Sequence, residues 1–163
     1  HTRVLEVDEA EWDEVFEVNV KGVLFCSQVI AAGMARRGEG KIVNIASMVG
    51  FTGTPSWSAY CASKAAVISL TLALAAQLKE GGVHVNAVCP GGTRTSMSEY
   101  ITQVEGASDV SFYHYPEEVA GLVAGLICPF DQSTSGCIIP MSPVDTVLGV
   151  GARTGVQFDG DNE

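Results

Sequence analysis

The sequence predicts an α/β fold, a partial doubly wound parallel sheet of about three strands with three main helices. Three observations predict it. Helical and strand-like segments alternate along the chain, the order that parallel strands with right-handed crossovers require. Two strand-like runs, residues 41–46 (KIVNIA) and 83–89 (VHVNAVC), are apolar almost throughout, as strands covered on both faces are. Each follows a helical segment that stops at glycine.

The elements follow in order. Residues 8–37 read as one long helix, because Trp12, Val15, Phe16, Val20, Val23, Leu24, Ile30 and Met34 recur at three- and four-residue steps. Gly38 and Gly40 end it. Residues 41–46 form the first strand. Residues 47–56, rich in Gly, Ser, Thr and Pro, form a loop. Residues 57–80 form a second long helix, ended by Gly81 and Gly82. The second strand covers 83–89 and stops at Pro90-Gly91-Gly92. Residues 93–115 are polar and irregular, with a short helix near 98–105. A third helix spans 116–128, where Pro116 at its first turn and Glu117-Glu118 beside it suit a helix N-terminus. Residues 136–141 form the third strand. The organisation is one domain over residues 1–149 and a polar tail over 150–163, with no internal repeat and no interdomain linker.

Composition narrows the partners. The chain has 163 residues, of which 47% are hydrophobic, enough for one packed core. Its formal charge of −10 repels phosphate backbones and excludes nucleic acid as an expected partner. Glu6, Asp8, Glu9, Glu11, Asp13, Glu14 and Glu17 concentrate the acid at the front, where a solvated helix face explains them. Apolar runs such as 67–76 and 119–130 are too short and mixed to span a bilayer, and no basic-then-apolar leader opens the chain, so no membrane partner is expected. Cys26, Cys61, Cys89, Cys128 and Cys137 are odd in number, lack a C-x-x-C pair and sit in apolar runs. They read as small buried thiols in a reducing cytoplasm. His1, His84 and His114 are scattered, and no metal site is expected.

Four features could carry chemistry. Tyr60 and Lys64 stand four apart on a helix and so share a face. An ammonium near a phenol favours the phenolate and makes tyrosine usable as an acid or base. A packed ring and a solvated lysine would show the same spacing. Ser47 lies just past the C-terminal end of a buried parallel strand, where open α/β sheets place ligands, though an ordinary loop serine also fits. Asn19 falls on the apolar side of its helix and needs hydrogen-bond partners, either the backbone or a water. Pro90-Gly91-Gly92-Thr93-Arg94-Thr95 follows the second strand, where glycines allow close approach of a ligand or a plain turn.

Read together, these segments resemble the short-chain dehydrogenase/reductase family. N-V-x-G at 19–22, I-V-N-I-A-S at 42–47, Y-x-A-S-K at 60–64 and N-A-V-x-P-G-x-x-x-T at 86–95 occur in the family's order, with thirteen residues from Ser47 to Tyr60. The likeness runs over about residues 5–145. It implies a Rossmann-like fold and an oxidoreductase acting on a carbonyl/alcohol pair of a small molecule. It implies Tyr60 as general acid/base and Lys64 as the group that lowers its pKa and binds the nicotinamide ribose. Ser47 would orient the substrate oxygen, and Asn19 would hold a water in a proton relay. Pro90, Gly91, Thr93 and Thr95, together with Tyr60 and Lys64, would line the nicotinamide end of an NAD or NADP site. Residues 96–115, including Tyr100, Phe112, Tyr113 and His114, would form the substrate loop. Thr93 stands where the family often has an aliphatic residue, and residues 140–149 lack its common D-G-G ending.

The chain departs from the family at its front. The T-G-x-x-x-G-x-G turn, the acidic or basic selector for NAD or NADP, and the N-N-A-G segment are not in this sequence. The N-terminal strands of the fold are therefore expected to be missing, which leaves cofactor use by this chain alone open. The strand at 41–46 would then expose an apolar edge, an association hazard. A second copy of the chain, a complementing N-terminal polypeptide or a rearranged element of its own is expected to cover it. Two rival functions stay open: a cofactor-independent lyase or isomerase using Ser47, Tyr60 and Lys64, and a non-catalytic dimerising remnant.

Overall fold

The computed structural model describes residues 2–105, 113–128 and 134–141. Its helices are α1 (Glu9–Phe16), α2 (Gly22–Arg37), α3 (Val49–Thr52), α4 (Ser58–Leu78), α5 (Ser96–Glu105) and α6 (Pro116–Ile127). Its strands are β1 (Gly40–Ile45), β2 (Val83–Pro90) and β3 (Ile138–Met141). The sheet runs in the order β1-β2-β3 with every pair parallel. The predicted α/β class and helix–strand alternation are those observed.

The details differ in informative ways. The helix expected over 8–37 is continuous but not uniform, because Glu17–Lys21 forms a wider π turn between α1 and α2. Asp8 caps its start, accepting from Glu11 N at 2.8 Å. The expected loop at 47–56 contains α3, a single turn too short to leave a periodic signal. The helix of the substrate region begins at Ser96, two residues earlier than expected, because Thr95 and Ser98 cap each other: Thr95 N donates to Ser98 Oγ at 2.9 Å and Ser98 N to Thr95 Oγ1 at 3.2 Å. The strand expected over 136–141 pairs only from Ile138. Phe112 and the tail at 150–163 lie outside the described residues.

β2 is the centre of the fold. Val83, Val85, Ala87, Val88 and Cys89 are fully buried, on both faces of the strand. Val67, Leu74 and Ala75 of α4 form its principal cover. Two amides tie the layers together. Asn44 of β1 donates to Thr71 Oγ1 of α4 at 2.9 Å. Asn86 of β2 donates to Thr134 O and accepts from Cys137 N, both at 2.9 Å, and so fixes the entry to β3. Gly82 has φ +69°, and a Cβ there would collide with the carbonyl oxygen of Gly38. That left-handed residue lets the ends of the two long helices meet where β1 and β2 begin.

Two helical runs, Glu9–Arg37 and Ser58–Gly81, have the length and mean hydropathy (1.4 and 1.5) to cross a membrane. The apolar runs of the sequence did not suggest this, because small and polar residues interrupt them. α4 buries Ala59, Cys61, Ser63, Val67, Thr71, Leu74 and Ala75 within the domain, as a core helix does. α2 buries only Ser27 and Ala31. Its outer side exposes Phe25 by 56%, Val29 by 76% and Ile30 by 51%. Among the described residues no strand pairs with the outer edge of β1, where Ile45 is 44% exposed. The rearranged element expected to cover that edge is thus not found among them.

The five thiols divide. Cys61 and Cys89 are buried as expected, and Cys128 is partly so. Cys26 and Cys137 are exposed, because one lies on the open side of α2 and the other precedes the outer strand β3. No group of three or more His, Cys, Asp or Glu side chains is placed to hold a metal ion among the described residues.

Candidate active site

The site forms where β1 and β2 end and α4 begins. The chain leaves β1 at Ile45, and Met48 N donates to Pro90 O at 2.9 Å, which ties the exits of the two strands together. Ser47 stands between them. Its Oγ donates to Pro90 O at 3.4 Å and accepts from Val49 N at 3.4 Å. α3 then presses on α4. A Cβ on Gly50 would lie 3.0 Å from the backbone of Lys64 and Ala65, so a larger residue would have to push the two helices apart. The sequence reading missed Gly50 because a glycine in a Gly-rich loop carries no distinctive signal.

Tyr60 and Lys64 occupy the first two turns of α4. The Ser47 hydroxyl lies near enough to the Tyr60 phenol to favour its charged form. The Lys64 ammonium lies 5.5 Å from the centre of the Tyr60 ring. It donates to Ile45 O at 3.1 Å, on the last residue of β1. Trp57 meets the Tyr60 ring edge-on, with centroids 5.6 Å apart. Ser47, Tyr60 and Lys64 therefore converge, as their positions in the sequence led one to expect.

Burial dominates the electrostatics of the site. Burial pushes the Tyr60 phenol above the usual tyrosine range; the Ser47 hydroxyl pulls the other way, and Cys61 adds to the rise. Burial likewise lowers the Lys64 ammonium, with Cys89 opposing. Desolvation is the largest influence on the phenol and outweighs the Ser47 hydroxyl. The tyrosine is a neutral phenol at neutral pH, with a proton to give. Beneath it the Cys89 thiol is pushed by burial up to about 11 and stays protonated, although Ser47 and Lys64 both pull it down.

Asn19 lies in the π turn and reaches α4, where its Nδ2 donates to Ser63 Oγ at 3.0 Å. Of the predicted cofactor-lining residues, Pro90 O is engaged by Met48 and Ser47, and Gly91 N donates to Met141 O at 2.9 Å. Thr93 Oγ1 donates to Gly91 O at 3.3 Å, and the Thr95 hydroxyl accepts from the first turn of α5. Gly92 makes room for the Tyr113 ring, which a Cβ would strike. An open cleft of about 260 Å³ lies in the expected substrate loop, lined by Arg94, Ser98, Glu99, Thr102, Gln103 and Tyr113. Tyr100 does not line it and is 67% exposed.

A parallel α/β sheet with two hydroxyls and an ammonium beyond its C-terminal end places them where open α/β sheets bind ligands. The sequence profile described as "short chain dehydrogenase" matches residues 1–106, and the chain belongs to that family. It is 42% identical over 108 residues to 2-(S)-hydroxypropyl-CoM dehydrogenase 3 of Xanthobacter autotrophicus, a match covering 66% of this chain and 42% of that protein. It is 34% identical over 141 residues to the 3-oxoacyl-[acyl-carrier-protein] reductase FabG of Thermotoga maritima, covering 83% of this chain and 57% of that one. The solved structure of an NAD+-bound xylitol dehydrogenase superposes with a TM-score of 0.79 at 26% identity, over 88% of this chain and 63% of that one. The chain thus spans about half the length of the curated relatives it matches.

The donors present fit one end of a nicotinamide dinucleotide. The Tyr60 hydroxyl and Lys64 ammonium suit a ribose, and the Thr95 hydroxyl keeps a proton to donate. Among the described residues no glycine turn of the G-x-G-x-x-G kind opens a helix to receive a pyrophosphate, and Gly91 N is already spent on Met141.

Proposed function

We propose that this chain carries the catalytic half of a carbonyl/alcohol oxidoreductase, with Tyr60 as the proton donor. One observation carries the reading: a half-buried phenol beside Ser47, with the Lys64 ammonium 5.5 Å from its ring. A substrate oxygen would sit between the Ser47 and Tyr60 hydroxyls. Ser47 would orient it, and Tyr60 would supply its proton in reduction and take it back in oxidation. Lys64 would hold the ribose of NAD or NADP and favour the phenolate left behind. Pro90, Gly91, Thr93 and Thr95 would line the nicotinamide, and Asn19 would hold a relay water. The bound nicotinamide supplies the hydride. Substrate enters from the cleft at Arg94, Ser98 and Tyr113. The unpaired cysteines suit the reducing cytoplasm.

The test is NADH- and NADPH-linked reduction of a 3-oxoacyl thioester, with Tyr60→Phe beside the unaltered protein. Loss of about a hundredfold or more in kcat supports proton donation by Tyr60. Turnover of a carbonyl substrate without nucleotide, lost in Tyr60→Phe, would favour the cofactor-independent lyase or isomerase. An unchanged rate and ligand affinity in Tyr60→Phe would favour the non-catalytic remnant.

For the partner we propose a second copy of the chain, docked on the outer side of α1–α2. The apolar side chains Val18, Phe25 and Val29 are exposed there, between the acidic Asp13 and Glu14 and the basic Arg36 and Arg37. Two such helices crossing antiparallel at Phe25 would set Glu14 against Arg36 and Asp13 against Arg37. Light scattering should then report a dimer that Phe25→Glu dissociates; a monomer at high concentration would refute it. The edge of β1 suits a further parallel strand, supplied by a complementing N-terminal chain or by the rest of the protein.

A further inference from the structure

Ser63 lies between Asn19 and Tyr60, and its side chain has no exposure to solvent. Its hydroxyl donates to the carbonyl oxygen of Tyr60 at 2.7 Å. A serine hydroxyl has one proton, so only its lone pairs remain for Asn19. Asn19 meets them with Nδ2 at 3.0 Å. The reversed carboxamide would set oxygen against oxygen in a place water does not reach, which is costly. Hydrogen-bond direction thus decides the amide orientation. Nδ2 is committed to Ser63, and Oδ1 is left to accept from another donor.

The same hydroxyl links two helices. In a regular helix the Tyr60 carbonyl accepts from the amide four residues on, which belongs to Lys64. Ser63 shares that acceptor, a back-bond of the kind that bends helices. One buried oxygen therefore joins the Tyr60–Cys61 peptide to the π turn that carries Asn19.

We propose that Ser63 is a positioning residue. It fixes the Asn19 carboxamide through Nδ2, and it holds the first turn of α4 against the π turn so that Tyr60 keeps its place. The proposal rests on the reading of Tyr60 as proton donor. Fully buried, Ser63 makes no contact with substrate.

Two measurements test it. The first is hydrogen exchange of the Asn19 side-chain amide by NMR in the isotope-labelled chain, which needs no substrate. Ser63→Ala should speed that exchange about tenfold, the scale of one ordinary hydrogen bond. Ser63→Cys, with similar volume and a weaker acceptor, should fall between. An exchange rate unchanged in either variant overturns the proposal, and the cysteine variant decides if the alanine variant does not fold. The second is thioester reduction by the full protein. Ser63→Ala should lower kcat about tenfold with KM unchanged, and Asn19→Ala/Ser63→Ala should be no slower than Asn19→Ala alone. Losses that multiply, or a risen KM with kcat intact, overturn it. If Tyr60→Phe remains active, the underlying reading fails, and the exchange measurement still decides the role of Ser63.

Discussion

The ammonium of Lys64 donates to the carbonyl oxygen of Ile45, 3.1 Å away at the exposed end of β1. A residue expected to act on a tyrosine and a ribose therefore also holds the end of a strand. Its charge reaches the thiol of Cys89, which it pulls downward. Lys64→Met should raise the Cys89 pKa further, and Lys64→Arg should leave it nearly unchanged. Ultraviolet thiolate absorbance against pH measures both. A lower value in Lys64→Met would contradict the charge relationship.

Alkaline stability gives a second prediction. Burial raises Cys89 from 9.0 to about 11 and moves Tyr60 the same way. In the folded state these groups hold protons that the unfolded chain releases. Their contribution is whole below pH 9.0 and is lost as pH climbs through the folded values. Lys64, lowered by burial, works with opposite sign, and its cost is relieved as pH nears 10.5. The shift at Cys89 corresponds to about 3 kcal/mol. The melting temperature should fall between pH 9 and 11, and Cys89→Ala should flatten that fall. Equal slopes in the two proteins would argue against a buried thiol at this position.

Gly50 predicts a steric effect. An alanine there would press its methyl within 3.0 Å of the α4 backbone at Lys64 and Ala65. Neither main chain yields easily, so Gly50→Ala should cost about 1–3 kcal/mol in chemical unfolding. It should also slow turnover more than an equally destabilising change distant from the site, because α3 follows directly on Ser47.

The Asn44–Thr71 pair predicts a polar one. Thr71 is fully buried and Asn44 nearly so. Thr71 Oγ1 accepts from Asn44 Nδ2 at 2.9 Å and donates to Val67 O at 2.8 Å. Thr71→Val keeps the shape and strands the amide, and should cost about 1–3 kcal/mol. The loss should shrink when Asn44 is also replaced by Leu, since both partners are then apolar. Urea unfolding of the single and double variants measures the difference.

The sequence disclosed those features that a period or a strand end marks. Tyr60 and Lys64 share a helix face by spacing alone, and Ser47 follows a strand whose apolar run is plain to read. The π turn at Asn19 was invisible, because one wider turn hardly disturbs a three-and-four pattern. The bond from Asn19 to Ser63 spans 44 positions and needs the packing of two helices to exist. A serine in the Y-x-A-S-K run, three residues past the tyrosine, was the available signal, and it passed as an ordinary helix residue. The net rise of the Tyr60 phenol was not legible for a similar reason. Spacing reports proximity to a charge, whereas desolvation depends on everything else around the ring.

α4 has a divided allegiance. Its first two turns present Tyr60, Ser63 and Lys64, while Val67, Thr71, Leu74 and Ala75 further along fill the interior. A rod of this kind moves as a whole. A repacked interior that slid it by a fraction of an ångström would carry the phenol away from Ser47 by the same amount. Stability and chemistry are mechanically coupled in this chain, so tolerance to change inside it is set by the reach of a single hydroxyl.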